Sequence, residues 1–158
     1  MHSIGNIEIL KRHKTAFLCS RQVPALIVLQ CYDWAIARRD AGECVISGFH
    51  SAMEKDVMHY LLKGSQPIIL AMARGLKQKT DPHLLPHIDN GRLLVLSPFE
   101  KEVTRVTEQT SYLRNKMMME LADEIVVGFM HPDGQLQRLV YEFEGIKKIH
   151  NLHTKGPE

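Results

Sequence analysis

Ser47 and Gly48 end an apolar run, Glu43-Cys-Val-Ile-Ser-Gly48, and lead within three residues into Ser51-Ala-Met-Glu54. A strand that turns at once into a capped helix aims backbone N–H groups and the positive end of a helix dipole at one spot, where an anion binds. The chemistry this predicts is phosphate binding. Gly48 lets a ligand approach the backbone, and Ser51 with Glu54 has the Ser-x-x-Glu spacing of a capping box. That box also accounts for both residues with no ligand at all. The turn is neither Gly-x-Gly-x-x-Gly nor a Walker loop, so alone it does not specify a nucleotide.

Two further segments can reach the same place. Ala16-Phe-Leu-Cys-Ser-Arg21 is a second strand end leading into Pro24, which puts Ser20 and Arg21 on the same sheet edge as Ser47 and Gly48. An arginine fork grips phosphate bidentately, although an arginine at a strand end is also commonly just solvated. Arg114-Asn115-Lys116 is placed at the start of a helix, where the dipole disfavours cations unless an anion binds nearby. A solvated helix turn is the plain alternative. Asp133-Gly134 follows a later strand at the same edge and either closes the pocket or merely turns the chain.

Other conspicuous residues carry no chemistry. Met117, Met118 and Met119 read as packing. His83 and His87 are four apart, but Pro86 and the lack of a carboxylate partner argue against a metal. Cys19, Cys31 and Cys44 lack Cys-x-x-Cys spacing and are expected to be reduced, buried, apolar groups. Neither a metal nor a cofactor is expected.

The elements that must hold these residues alternate strand and helix, which predicts an α/β fold: a mostly parallel, extended Rossmann-like sheet of about six strands with helices on both faces. Strands are expected at about 14–19, 43–47, 67–72, 92–96, 124–129 and 146–152. Most are near-continuous apolar runs, as strands buried on both faces require. Helices are expected at 24–41, packing through Leu26, Leu29 and Ala37, at 51–63, through Met53, Val57, Tyr60 and Leu61, and at 111–122, through Leu113, Met117 and Leu121. The segment 135–144 fits a helix or a strand, and 73–91 reads as an irregular connection containing one short helix.

At 158 residues, 44% hydrophobic and 24% charged, the chain suits one globular domain, assigned to 1–153 with a frayed tail at 154–158. No apolar run approaches the roughly 20 residues that span a bilayer, so a cytoplasmic protein is expected. The net charge of +2 leaves the partner open.

Taken in order, these segments resemble the central domain of the DNA-processing protein A (DprA/Smf) family, within the wider group that includes the Lonely Guy proteins. Gly5-Asn6-Ile-Glu-Ile-Leu10 resembles the family's lead-in helix, Cys19-Ser20-Arg21 its Gly-Ser-Arg, and Ser47-Gly48-Phe49 its Ser-Gly-Leu. Ile68 to Leu76, Leu93 to Phe99 and Arg114-Asn115-Lys116 match further motifs in register. The chain departs from the family pattern at Cys19, Ala52, Glu54 and Lys116, and its glycine-rich turn is reduced to Pro132-Asp133-Gly134-Gln135.

The resemblance implies a Rossmann-like fold, a phosphate pocket lined by the Ser-Arg, Ser-Gly and Arg-Asn segments, single-stranded DNA or a nucleotide as partner, and a homodimer. On this reading Ser20, Arg21, Ser47, Gly48, Phe49, Ser51, Arg114, Asn115, Lys116 and Gly134 bind the nucleotide or its phosphate without chemistry. Phe49 and Phe99 are the obvious rings for base stacking. The alternatives are a nucleotide sensor or a Lonely Guy-like hydrolase of nucleoside monophosphates. For the hydrolase, His131-Pro-Asp-Gly-Gln135 lacks the glycines and glutamate of that group's loop, and Glu142 reaches a ribose only if the loop rearranges.

Overall fold

Strands form where apolar residues run unbroken. In the computed structural model, which describes residues 1–152, these runs become β2 (Lys14–Leu18), β3 (Cys44–Ser47), β4 (Ile68–Ala71), β5 (Leu93–Ser97), β6 (Glu124–Val127) and β7 (Lys148–Asn151). The tail expected to fray, 154–158, lies outside the described residues. A seventh strand, β1 (His2–Gly5), was not expected. It has no apolar run, its burial is slight, and it is held by antiparallel pairing to β5. The sheet order is β1-β5-β4-β3-β2-β6-β7, with every other neighbouring pair parallel.

Alternate residues of each strand feed two cores, as the period of two requires. On one face, Leu18, Ile46, Leu94 and Val127 pack against Met118 and Met119 of α4 (Glu108–Leu121) and Leu139, Val140 and Phe143 of α5 (Gln135–Phe143). On the other, Phe17, Val45, Ile68 and Val126 pack against α1 (Ala25–Asp40) and α2 (Ala52–Leu62). The ambiguous segment 135–144 is therefore a helix, and α3 (Leu85–Asp89) is the one short helix of the 73–91 connection.

Three expectations need correction. Helix α1 does not pack through Leu26, Leu29 and Ala37; Leu26 and Leu29 are 86% and 67% exposed, and Ile27, Cys31 and Ala35 are buried instead. The small Cys31 and Ala35 let the helix approach the sheet, which larger side chains would prevent. Helix α4 begins three residues earlier than expected, under a Thr107 cap; Met117 and Leu121 pack half-buried against the core as expected, but Leu113 is exposed and Arg114, Met118 and Met119 are the fully buried residues. The lead-in helix is a short 3-10 turn, Ile7–Lys11, capped by Asn6, whose side chain accepts from the Glu8 N–H at 3.1 Å.

All three cysteines are buried free thiols. Hydrogen bonding to Cys31 and burial push the Cys19 thiol far above its ordinary range, and burial pushes Cys44 up to about 11, so both pack as un-ionised groups. Among the described residues no helix is long and apolar enough to cross a membrane.

Arg92, 8% exposed, ties the end of α2 to the sheet. Its Nε donates to the Gln66 carbonyl at 2.7 Å and its Nη1 to the Leu62 carbonyl at 2.8 Å, while Nη2 donates to the Leu61 carbonyl. The Leu61 and Leu62 carbonyls end α2 and Gln66 lies in the turn beyond it; the Leu61 carbonyl also accepts from the Gly64 N–H at 3.1 Å and the Gln66 side-chain amide at 2.9 Å. Arg92→Leu should lower the unfolding free energy by about 2–3 kcal/mol, because the Leu62 and Gln66 carbonyls lose the donors that Arg92 supplies. Urea denaturation checks this through a lower midpoint at unchanged slope.

Candidate phosphate-binding cleft

Strands β2 and β6 lie side by side with Leu18 beside Val127, and their chains then leave toward opposite faces, into α1 and α5. Such a divergence opens a crevice at the carboxyl edge of the sheet, where ligands of open α/β folds bind. The cleft here measures about 1120 Å³ and is lined by Ser20, Arg21, Ser51, Arg114, Asn115 and Gly134 among the expected residues. Its two loops are joined directly: the Ser20 N–H donates to the Phe129 carbonyl at 2.8 Å, and His131 Nε2 lies 2.6 Å from the Arg21 carbonyl. Among the described residues, the non-glycine residues with positive φ are Gln22, Phe49 and Asp133, one in each loop following β2, β3 and β6. Backbone strain of this kind concentrates at ligand sites.

The donors at the Ser47-Gly48 turn already hold an anion, the side chain of Glu54. Its Oε1 accepts from the backbone N–H groups of His50 at 2.9 Å and Ser51 at 3.2 Å, and its Oε2 from that of Cys19 at 3.0 Å. Ser51 Oγ accepts from the Glu54 N–H in return, so the capping box is complete. Ser47 is fully buried and its Oγ accepts from the Phe49 N–H at 3.2 Å, apart from the cleft. At this edge the starts of α1, behind Pro24, and α5, behind Gly134, carry no side-chain cap, and of these caps Gly134 lines the cleft. The first-turn N–H groups of α5 are the orphan donors available to a phosphate.

Arg114 forms the cleft floor. Because α4 starts at Glu108, Arg114 sits in mid-helix, and the argument from a positive helix start does not apply to it. The side chain is only 5% exposed; Nη1 donates to the Ala71 carbonyl at 3.1 Å and Nε to Asn115 Oδ1 at 2.8 Å. Among the described residues no carboxylate lies within ion-pair distance of it. Burial lowers its pKa, opposed by the charge of Glu54. A Cβ at Gly48 would stand 2.3 Å from Arg114 Nη1, so the glycine provides the space that the guanidinium fills. Lys116 is exposed and does not line the cleft. Two residues along a helix is about 200° of rotation, which turns Lys116 away from the face that Arg114 occupies.

Sequence reasoning missed His50, His131 and Arg138, all of which line the cleft. His50 directly follows Ser-Gly-Phe, and Arg138 lies in the first turns of α5, so position relative to the strand ends was the available signal. Burial, followed by the charge of Arg114, lowers the His50 pKa from its ordinary value of 6.5. Gly48 and Phe49 line an adjoining cavity that shares Arg114 and His50 with the cleft. Glu142 accepts from the Tyr112 hydroxyl at 3.2 Å and does not line the cleft. Among the described residues no group of three or more His, Cys, Asp or Glu side chains is placed to hold a metal.

No protein-family model matches the chain, and no curated protein matches it by sequence. Solved structures do match. DNA-processing protein A from Helicobacter pylori, described for its single-stranded DNA binding mode, superposes with a TM-score of 0.72 at 16% identity, over 94% of this chain and 69% of that one. The same protein from Streptococcus pneumoniae gives 0.72 and 16%, over 94% of this chain and 53% of that one. A molybdenum cofactor binding protein from Rippkaea orientalis is less similar, with a TM-score of 0.59 at 10% identity over 89% of this chain and 76% of that one. The chain thus spans about half of the Streptococcus protein. Its Rossmann-like fold is the one shared with DNA-processing protein A, as the segments from Gly5 to Lys116 imply.

Proposed function

We propose that this protein is a non-catalytic binding module that holds phosphate groups of single-stranded DNA at the β2/β6 cleft. The observation that carries the reading is Arg114: a buried guanidinium, without an ion-paired carboxylate among the described residues, forming part of the wall of an open cleft. Withdrawing a charge from water costs several kcal/mol unless an opposite charge approaches it. A phosphate supplies that charge. Arg21 and Arg138 add cations to the same walls, and the uncapped start of α5 adds N–H donors.

The chemistry of the cleft favours binding over cleavage. Glycosidic hydrolysis needs a carboxylate beside the ribose. Glu54 is committed to three backbone N–H groups and Glu142 bonds to Tyr112 away from the cleft, while the two other carboxylates that line the cleft, Glu108 and Asp133, stand on its rim at the start of α4 and in the turn before α5. Contacts made only to phosphate carry affinity without base information, so binding through this cleft alone is independent of sequence and sensitive to salt.

Arg114→Met should weaken binding of a labelled single-stranded oligonucleotide about 10- to 100-fold, as loss of a charge-assisted hydrogen bond does. The same variant should stay folded with a melting temperature close to that of the unaltered protein, because removing the buried charge offsets the loss of its bonds to the Ala71 carbonyl and Asn115. Fluorescence anisotropy at low salt and a thermal melt measure the two effects; unchanged binding would refute the assignment.

The pH dependence follows from His50. In the free protein its pKa lies below 6.5, and a bound anion raises it, so binding takes up a proton. Affinity should therefore rise as pH falls from neutrality through the ordinary histidine range, and this rise should vanish in His50→Gln. Titrations at several pH values and constant ionic strength test it.

A further inference from the structure

A second cavity, of about 900 Å³, lies beside the phosphate cleft, and Arg114 and His50 form a wall common to both. Its apolar surface comes from Phe49, Met58, Leu70 and Leu76. Phe49 and Leu70 stand at the carboxyl ends of β3 and β4, Met58 belongs to α2, and Leu76 belongs to the connection 73–84 that borders the space. Lys77 and Lys79 of that connection also line it and are exposed. The size is within the roughly 300–1,000 Å³ common for small-ligand sites.

We propose that this cavity receives the base of the nucleotide whose phosphate is held at Arg114, an inference that rests on the phosphate reading above. A nucleotide is a flat, largely apolar heterocycle joined through a sugar to an anion. The two cavities present the same sequence of surfaces: apolar walls, then the Arg114 guanidinium, then the cationic cleft with its open helix start. Arg114 is placed to serve both sides, because its Nη1 donates to the carbonyl of Ala71, itself a lining residue of the second cavity.

Phe49 supplies a specific surface. It is 5% exposed and its backbone sits at φ 45°, a left-handed conformation that is strained for a bulky residue. The turn holds it there through the bond from its N–H to Ser47 Oγ. Phe49 thereby joins the apolar wall of the cavity next to Gly48, backed by the core it packs in, as a fixed surface for a base to rest against. The connection 73–84 is anchored at its near end: Ser97 Oγ donates to the Arg74 carbonyl at 2.6 Å and the Gly75 N–H to the Val103 carbonyl at 2.7 Å. The apolar side of the space is thus preformed, and Lys77 and Lys79 offer charge to a neighbouring phosphate of the same strand.

The test uses the whole chain and three probes: a labelled single-stranded oligonucleotide, an oligonucleotide of equal length with abasic sites, and the common nucleoside 5′-monophosphates. The normal oligonucleotide should bind about tenfold tighter than the abasic one or better, as expected for one base stacked on an aromatic ring. Leu76→Trp, which fills the cavity, should bring that ratio toward one. An oligonucleotide carrying 2-aminopurine should change its emission on binding to the unaltered protein, a readout that needs no variant. Competition by a monophosphate assigns the cavity to free nucleotides, and binding by the oligonucleotide alone assigns it to a strand; both outcomes support a base site. Equal binding of the normal and abasic strands would overturn the base site while leaving the phosphate reading intact. Binding of none of the probes would overturn the phosphate reading and the base site with it.

Discussion

Arg114 is a positive charge withdrawn from water, and the carboxyl edge of the sheet is arranged around that fact. Its position in mid-helix buries it, and the absence of a Cβ at Gly48 makes room for it. The Ala71 carbonyl and Asn115 side chain take its hydrogen bonds, and Glu54 is the acidic neighbour whose field favours its charged form. Yet Glu54 is spent on three backbone donors, so it moderates the cost of the buried cation without pairing with it. A site of this kind is tense until an anion arrives, because the low dielectric that penalises the lone charge strengthens its attraction to a partner.

Glu54 has a second consequence. By accepting from Cys19, His50 and Ser51, its carboxylate ties the end of β2 to the turn after β3 and the start of α2. The turn that would otherwise receive an external anion has become a structural joint. Open donors lie at the start of α5, and cations from three elements line the same crevice: Arg21 after β2, Arg114 on α4 and Arg138 on α5. The divergence of β2 and β6 produces the crevice that these groups share.

What could be read in the sequence followed from how each residue's signal arises. Strands buried on both faces are unbroken apolar runs, so β2 to β6 were legible almost to the residue, whereas β1 is held by backbone pairing and has no apolar signature. Helix positions were legible and helix faces were not. In α1, leucines occur on both sides, and what decides the packed side is the smallness of Cys31 and Ala35, a tertiary constraint. In α4 the face was misjudged by one position, and the missed start at Thr107 placed Arg114 at the wrong end of the dipole. Ser20 and Arg21 line the cleft because strand ends meet at one edge, whereas Asn115 lines it from mid-helix beside Arg114. Lys116 was included because it is adjacent in sequence, though helical rotation alone sets it on another face.

On the proposed reading, the depth of Arg114 suits retention of a phosphate better than its turnover. Catalysis requires groups whose contacts strengthen as charge develops during reaction, together with an acid or base free to move a proton. Here the buried carboxylate has its lone pairs committed to backbone donors. The buried cation gains most from a full, permanent negative charge, the state of a phosphate in the bound ligand before any bond changes. His50, in the field of both Arg114 and Glu54, has its pKa held below 6.5 mainly by burial, so it is neutral at neutral pH and gains charge as pH falls, in the direction that tightens the grip on an anion. On the proposed reading, these electrostatics match the ground state of a phosphate ligand, as a binding module requires.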